Sequence, residues 1–236
     1  MALKLAVTRW LAAFEQALHA PADGALAALF RPDAHWRDLL AFGWQVRTVS
    51  GAGQILAALK LHGAGAGAAG FDIDPGRTPP RRVTRAGIAC IEAFLRFETA
   101  IGRGQGVLRL MDDGKAWTLF TALDDIRGCE ERVGSRRPHG AAYSRDFRGP
   151  NWLDQREAAA TYADRDPEVL VVGGGHAGLS IAARLRQLDI DALIVDRNRR
   201  VGDNWRNRYH ALTLHNQVQV NHLPYLPFPA SWPTYI

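Results

Sequence analysis

Lysine is scarce in this chain: Lys4, Lys60 and Lys115 stand among 29 basic residues. Cysteine is scarcer still, with only Cys90 and Cys129. Two thiols build neither a disulfide framework nor, alone, a metal site, so no metal is expected. They suit a reducing, cytoplasmic setting. Long apolar runs are missing too. No stretch of about 18 uncharged apolar residues occurs, so no membrane span is expected. The opening MALKLAVTRWLAAFEQALHA is interrupted by Arg9, Glu15 and Gln16 and lacks the form of a secretory signal. A basic stripe is also absent. The net charge of +5 is spread as +3, +1 and +1 over residues 1–127, 128–165 and 166–236, which argues against a nucleic-acid partner.

What is present is a folding chain: 236 residues, 47% hydrophobic and 22% charged, enough for one large domain or two small ones. Residues 3–20 place Val7, Trp10, Leu11, Phe14 and Leu18 on one helical face, with Pro21 closing the helix. Asp23 is a good N-cap for a short helix over 23–30, ending before Pro32. Residues 34–49 hold strand-like stretches, and 51–61 read as helix. GAGAGAAG, 63–70, reads as a flexible loop. From 81 to 124 the pattern is β. In 88–98 apolar residues alternate as Ala89, Ile91, Ala93, Leu95 and Phe97, and 104–111 with 115–123 form a hairpin over Asp112-Asp113-Gly114. Helices followed by a strand meander predict an α+β unit.

Residues 128–165 form a linker punctuated by Pro138, Gly149 and Pro150, with one helix expected in NWLDQREAAATYAD. No repeat is found. Asp72 and Asp74, followed by Pro75-Gly76, read as a turn rather than a metal pair. His35, Trp36, Asp38 and Trp44 are candidates to line a pocket and do acid/base work. The simpler reading of these four is an aromatic core with a hydrogen-bonded histidine.

The chemistry lies in the last third. EVLVV at 168–172 is a short buried strand, GGGHAG follows at 173–178, a helix runs over 179–188, and ALIV at 192–195 ends in Asp196. Gly173, Gly175 and Gly178 satisfy G-x-G-x-x-G. The first suits a tight turn, the second close approach of a pyrophosphate, and the third close packing of helix on strand. The helix N-terminus offers free N–H groups to phosphates. Asp196 lies 18 residues after Gly178, where a carboxylate can accept from a ribose hydroxyl. Gly65, Gly67 and Gly70 repeat the glycine spacing without the flanking strands or the acid, and are rejected. Asp196 favours a free 2′-hydroxyl, hence FAD or NAD over NADP, and Arg200-Val201-Gly202-Asp203-Asn204-Trp205 resembles the Gly-Gly-x-Trp-like stretch that flavoproteins of the two-dinucleotide-domain type carry after that acid, a resemblance that implies FAD.

Residues 166–236 resemble the FAD-binding start of class B flavin-containing monooxygenases of the YUCCA-like branch. GGGHAG, VGDNW and LPYLPFP carry the likeness. Residues 5–126 resemble the NTF2-like/SnoaL-like cone by element order and by AHWRDLLAFGWQVRTVSGAGQI. The resemblance implies an NTF2-like domain over 1–127, the linker, and the start of an incomplete α/β Rossmann-type FAD domain over 166–236. It implies that Gly173, Gly175, His176, Ala177 and Gly178 line the FAD pyrophosphate. Asp196 and Arg197 would hold the ribose region, and Asn204 and Trp205 would cover the cofactor. Leu214-His215-Asn216 would pass the flavin ring, which makes His215 the candidate catalytic residue, although some members carry Asn there. NADPH is the implied reductant, O₂ the oxygen donor and a small molecule the substrate. The family's second glycine motif is not found, so the chain is expected to be the N-terminal portion of a longer enzyme. Pairing of two copies through the NTF2-like unit is a further expectation. The alternative is a non-catalytic NTF2-like dimerisation or ligand-binding module with a vestigial flavin fragment.

Overall fold

The computed structural model describes residues 2–19, 23–139 and 148–236. The chain divides into two compact units, Met1–Cys129 and Glu130–Ile236.

In the first unit, α1 (Ala2–His19) buries Val7, Trp10, Leu11, Phe14 and Ala17, the face its periodicity predicts. Leu18 is only partly buried and packs at the core's margin. The expected stop at Pro21 lies outside the described residues. Then come α2 (Asp23–Ala28), β1 (Phe30–Leu39), β2 (Val46–Ser50), α3 (Ala52–Ala66) and β3 (Ala69–Ile73). They are followed by β4 (Arg81–Arg85), β5 (Ile88–Glu98), β6 (Gly102–Leu110) and β7 (Ala116–Ile126). The strands form one sheet in the order β2-β1-β7-β6-β5-β3, with β4 also on β5. β1 runs parallel to β7, and the other pairs are antiparallel. This sheet with its helices is the α+β cone expected from the element order.

Two local expectations need correction. GAGAGAAG is not a flexible loop. α3 continues through Gly63 and Gly65, stops at Gly67 in the left-handed conformation (φ 57°), and β3 begins at Ala69. Packing overrides glycine's weak helix propensity there, since a Cβ at Gly63 would touch Leu18 Cδ2 at 3.4 Å. The short helix ends at Ala28 rather than at residue 30, and Pro32 beyond it lies inside β1, where the register against β7 shifts between Phe30 and His35.

The core is a run of rings. Trp10 stacks on Phe14 at 4.9 Å, Phe14 meets Phe71 edge-on at 5.3 Å, and Phe71 stacks on Phe97 at 4.7 Å. Phe42 continues from Phe97 to Trp36. β5 buries Ile91, Ala93, Leu95 and Phe97 as its alternation predicts, but Ala89 at the start of the same face is exposed. Its opposite face is covered as well, because Arg81, Arg85 and Arg109 enclose Glu92. The β6–β7 hairpin turns at Gly114 (φ 77°), whose N–H donates to the Met111 carbonyl.

In the second unit, α4 (Trp152–Ala160) is the predicted linker helix. Asn151 caps it, accepting from the N–H groups of Leu153 and Asp154, while Asp154 accepts from Asn151 N–H. Residues 140–147 of the expected linker lie outside the described residues. Residues 131 and 132 belong to this unit: Arg132 N–H donates to the Gln187 carbonyl, and Glu131 pairs with Arg184 at 2.5 Å. β8 (Val169–Val172), α5 (His176–Gln187) and β9 (Ala192–Val195) follow, with β8 and β9 parallel in the register Val169↔Ala192 to Val172↔Val195. This is the strand–helix–strand start of a Rossmann-type sheet. α6 (Asp203–Arg206) comes next.

Candidate functional site

A parallel strand pair joined by one helix forces the chain to turn sharply off β8. Gly173 makes that turn at φ 107°, which only glycine adopts freely. Its N–H donates to the Val195 carbonyl at 2.7 Å, tying the loop to the end of β9. A Cβ at Gly178 would collide with the Gly173 carbonyl oxygen and lie 3.3 Å from Val171 Cγ1. Gly178 therefore lets α5 lie against β8, the task its position in the motif predicts.

Gly175 is the N-cap of α5, with no side chain capping the helix. The first-turn N–H groups, with the positive end of a 12-residue helix behind them, suit an anionic oxygen. The residues present fit a pyrophosphate: a Cβ at Gly173 would meet no heavy atom within 4 Å beyond its chain neighbours, so the turn is open to a ligand. A Cβ at Gly175 would sit 3.3 Å from Asn204 Nδ2, so α6 returns against the loop.

Asp196 closes the other side. Its Oδ2 accepts from Gly174 N–H and its Oδ1 from Asn198 N–H, both at 2.6 Å. The Asn198 bond first, and the Gly174 bond second, hold the carboxyl below its ordinary range. An ionised carboxylate with acceptor capacity to spare thus stands beside the glycine loop. Arg197 follows it, exposed, and Ala177 is exposed on the first turn of α5.

His176 and Trp205 come together, with ring centroids 6.2 Å apart. Both line a cavity of about 630 Å³ with Ser180, Leu212, Leu214, Val220, Asn221, His222, Leu223, Phe228 and Ile236. His215 does not line it. The chain from 212 to 215 turns Leu212 and Leu214 toward the cavity and leaves His215 exposed. The cavity's second histidine is His222, whose Nδ1 accepts from Phe228 N–H at 2.9 Å. Nothing local in the sequence marks His222, because the proline-rich segment is what folds Phe228 back onto it. Asp203 was missed for a similar reason. It is buried and accepts from Arg200 N–H and from Arg206, which fixes the turn that presents Asn204 and Trp205. Its place after Gly202 (φ 87°) was the available signal.

In the first unit, His35 and Asp38 fall on opposite faces of β1. His35 is exposed and bonds Ser50 Oγ at 2.8 Å, whereas Trp36 and Asp38 are buried. Asp74 accepts from Gly76 N–H, as a turn requires, whereas Asp72 lies on β3, opposite Arg96, and its carboxylate accepts from Ile73 N–H. Among the described residues, no group of three or more His, Cys, Asp or Glu is placed to hold a metal, and no helix is long and apolar enough to cross a membrane.

Residues 171–230 match the family model of the NAD(P)-binding Rossmann-like domain. The end of the chain therefore resembles a Rossmann-like dinucleotide-binding domain, in keeping with its strand–turn–helix–strand. In particular, it is similar to the YUCCA monooxygenases. The chain is 39% identical over 84 residues to indole-3-pyruvate monooxygenase YUCCA1 of Oryza sativa subsp. japonica, a match covering 35% of this chain and 21% of that protein. It is 37% identical over 57 residues to the uncharacterized oxidoreductase CzcO of Bacillus subtilis, covering 24% and 16%. The chain thus spans about a fifth or less of the length of these curated relatives. A steroid delta-isomerase structure from Pseudomonas aeruginosa covers 53% of this chain and 85% of its own, at 17% identity and a TM-score of 0.34. The strand order of the first unit, not this likeness, defines its fold.

Proposed function

We propose that residues 166–236 hold the adenosine and pyrophosphate half of FAD, as part of an NADPH-dependent flavin monooxygenase. That enzyme would insert one oxygen atom from O₂ into a small organic substrate. The observation that carries this reading is the open glycine turn at 173–178 beside the anchored carboxylate of Asp196. In it, Gly173, Gly175, His176, Ala177 and Gly178 surround the pyrophosphate, and the α5 N-terminus supplies N–H groups to its oxygens. Asp196 accepts from a ribose hydroxyl, with Arg197 beside it. Asn204 and Trp205 wall the cofactor and, with His176, keep water from it. The exposed setting of His215 removes the support for a catalytic role, and His222 is the better-placed histidine of this cavity.

FAD rather than NAD is favoured by the VGDNW turn and by the relatives, several of which are named for the oxygenation of indole-3-pyruvate. When bound, the flavin supplies the redox and oxygen chemistry; the chain's residues bind and orient it. No second strand–glycine–helix unit occurs among the described residues, so a nicotinamide site is not assigned here.

The purified chain tests this. A yellow protein, or a colourless one that takes up FAD stoichiometrically in a spectral titration, supports the reading. A protein that binds NAD but not FAD overturns it.

A further inference from the structure

The proline-rich segment makes one tight turn, Leu223-Pro224-Tyr225-Leu226, closed by the Leu226 N–H on the Leu223 carbonyl at 3.1 Å. Pro224 and the positive φ of the residue after it, 61° at Tyr225, are those of a type II turn. That third position suits glycine or asparagine. A tyrosine is strained there and keeps the conformation only where its surroundings impose it. The turn matters because of what flanks it. His222, Leu223 and Phe228 line the 630 Å³ cavity together with His176 and Ser180 of α5. Leu223 belongs to the turn and Phe228 follows it closely, so the turn's conformation sets where both side chains stand.

What holds Tyr225 comes from outside the segment. The guanidinium of Arg184, on α5, lies over its ring at 5.1 Å from the centroid. Arg184 in turn pairs with Glu131 at 2.5 Å. Burial would raise the Glu131 carboxyl, but hydrogen bonds from the Tyr225 phenol and from Arg184 outweigh it and hold the group below its ordinary range. The Glu131 side chain is 24% exposed against 53% for Arg184, so the carboxylate is the inner member of the cluster. Its backbone is anchored as well. The Arg132 N–H donates to the Gln187 carbonyl at 2.7 Å and the Arg132 side chain pairs with Asp189 at 2.7 Å. Both contacts lie at the C-terminal end of α5, so this stretch of the linker is fixed where Glu131 can reach the turn.

We propose that Glu131 is a positioning residue for this cavity: through Arg184 and the Tyr225 phenol it locks the 223–226 turn, and so holds the wall that Leu223 and Phe228 give the cavity. The site of the second unit is then built with a linker residue that stands far ahead of the glycine motif. The lock rests on the geometry of the turn; its consequence for flavin binding rests on the function proposed above.

Amide hydrogen–deuterium exchange of the full chain without ligand, followed by mass spectrometry, tests the lock. Glu131→Ala should speed exchange over 222–228 by about fivefold, the effect of losing one hydrogen bond, while 176–187 exchanges as in the parent. Tyr225→Phe keeps the ring under Arg184 and loses the phenol; it should do the same, and it decides the matter if Glu131→Ala does not fold. Tyr225→Gly should be as protected as the parent, because glycine takes the positive φ unaided, and adding Glu131→Ala to it should change nothing. Parent-like exchange over 222–228 in Glu131→Ala or Tyr225→Phe, or an equal acceleration by Glu131→Ala in the glycine background, overturns the proposal. FAD titration of the same proteins is a separate readout: affinity should fall with Glu131→Ala and not with Tyr225→Gly. A parent and a Glu131→Ala variant that bind FAD equally tightly overturn the role in the cavity wall. A parent that binds no FAD overturns the function proposed above and leaves the exchange result to decide the lock.

Discussion

A methyl group added at Gly178 would strike the carbonyl oxygen of Gly173, and neither partner is a flexible side chain. Gly178→Ala must therefore push α5 away from β8, an overpacking cost of about 1–3 kcal/mol. Circular dichroism and FAD titration should both report it, as lost helix in the second unit and lost binding; parent-like values in both would mean the turn is looser than described. Asp196 makes a different kind of contribution, since it already holds Gly174 and Asn198. Asp196→Ala removes the loop anchor and the ribose acceptor together, so FAD affinity should fall by about tenfold or more. A mutant as tight as the parent would make Asp196 a strand terminator only.

Among elements, the β4–β5–β6 face is held by charge. Arg85, Arg109 and Arg81 hold Glu92 down to a pKa of about 2 from an ordinary 4.5, the bond from Arg85 being the strongest cause. A depressed folded-state pKa contributes stability that is complete above pH 4.5 and is lost as pH falls from there toward 2. The arginines are 30–48% exposed, so solvent screening limits the contribution to something on the order of 2 kcal/mol. The melting temperature of the first unit should drop across that window, and Glu92→Gln should flatten the drop. An unchanged acid profile in the variant would count against the network. This network was not legible in the alternation of 88–98, which predicts only which face is apolar; the arginines arrive from β4 and β6. The helix α1, the β6–β7 turn and the 168–196 strand–turn–helix–strand were legible, because each is set by local periodicity or by a glycine at a required φ. α3 beyond residue 61 was not, because the burial of Gly63 and Ala66 against the core outweighs the weak helix propensity of its glycines. In the site, the spacing of Gly173, Gly175, Gly178 and Asp196 was readable. The approach of Asn204 to Gly175, and of Phe228 to His222, depends on how distant loops return.

At the scale of the whole molecule the two units are built differently. The first holds a continuous aromatic and aliphatic core. In the second, Val171 and Val218 are the buried hydrophobic residues among those described, while Val172 on β8 is 81% exposed and Leu170 and Ile181 are also open. The sheet there has two strands, β8 and β9, as the sequence predicts. Hydride transfer needs a nicotinamide held against a flavin, and that alignment supplies much of the rate. With FAD added, this chain should not oxidise NADPH at the roughly 1–10³ per second usual for enzymes. Turnover in that range would mean that a nicotinamide site exists within these 236 residues.

The central claim is that the turn at 173–178 receives the pyrophosphate of FAD. Its most direct test is an equilibrium titration of parent and Gly175→Val with FAD, followed by quenching of flavin fluorescence, with a far-ultraviolet melt to confirm that the first unit stays folded. A branched side chain at 175 would stand where the phosphates approach and where Asn204 already lies 3.3 Å from the Cβ position. The account predicts that the parent binds FAD and that the folded variant does not. Equal binding by the two proteins would contradict it.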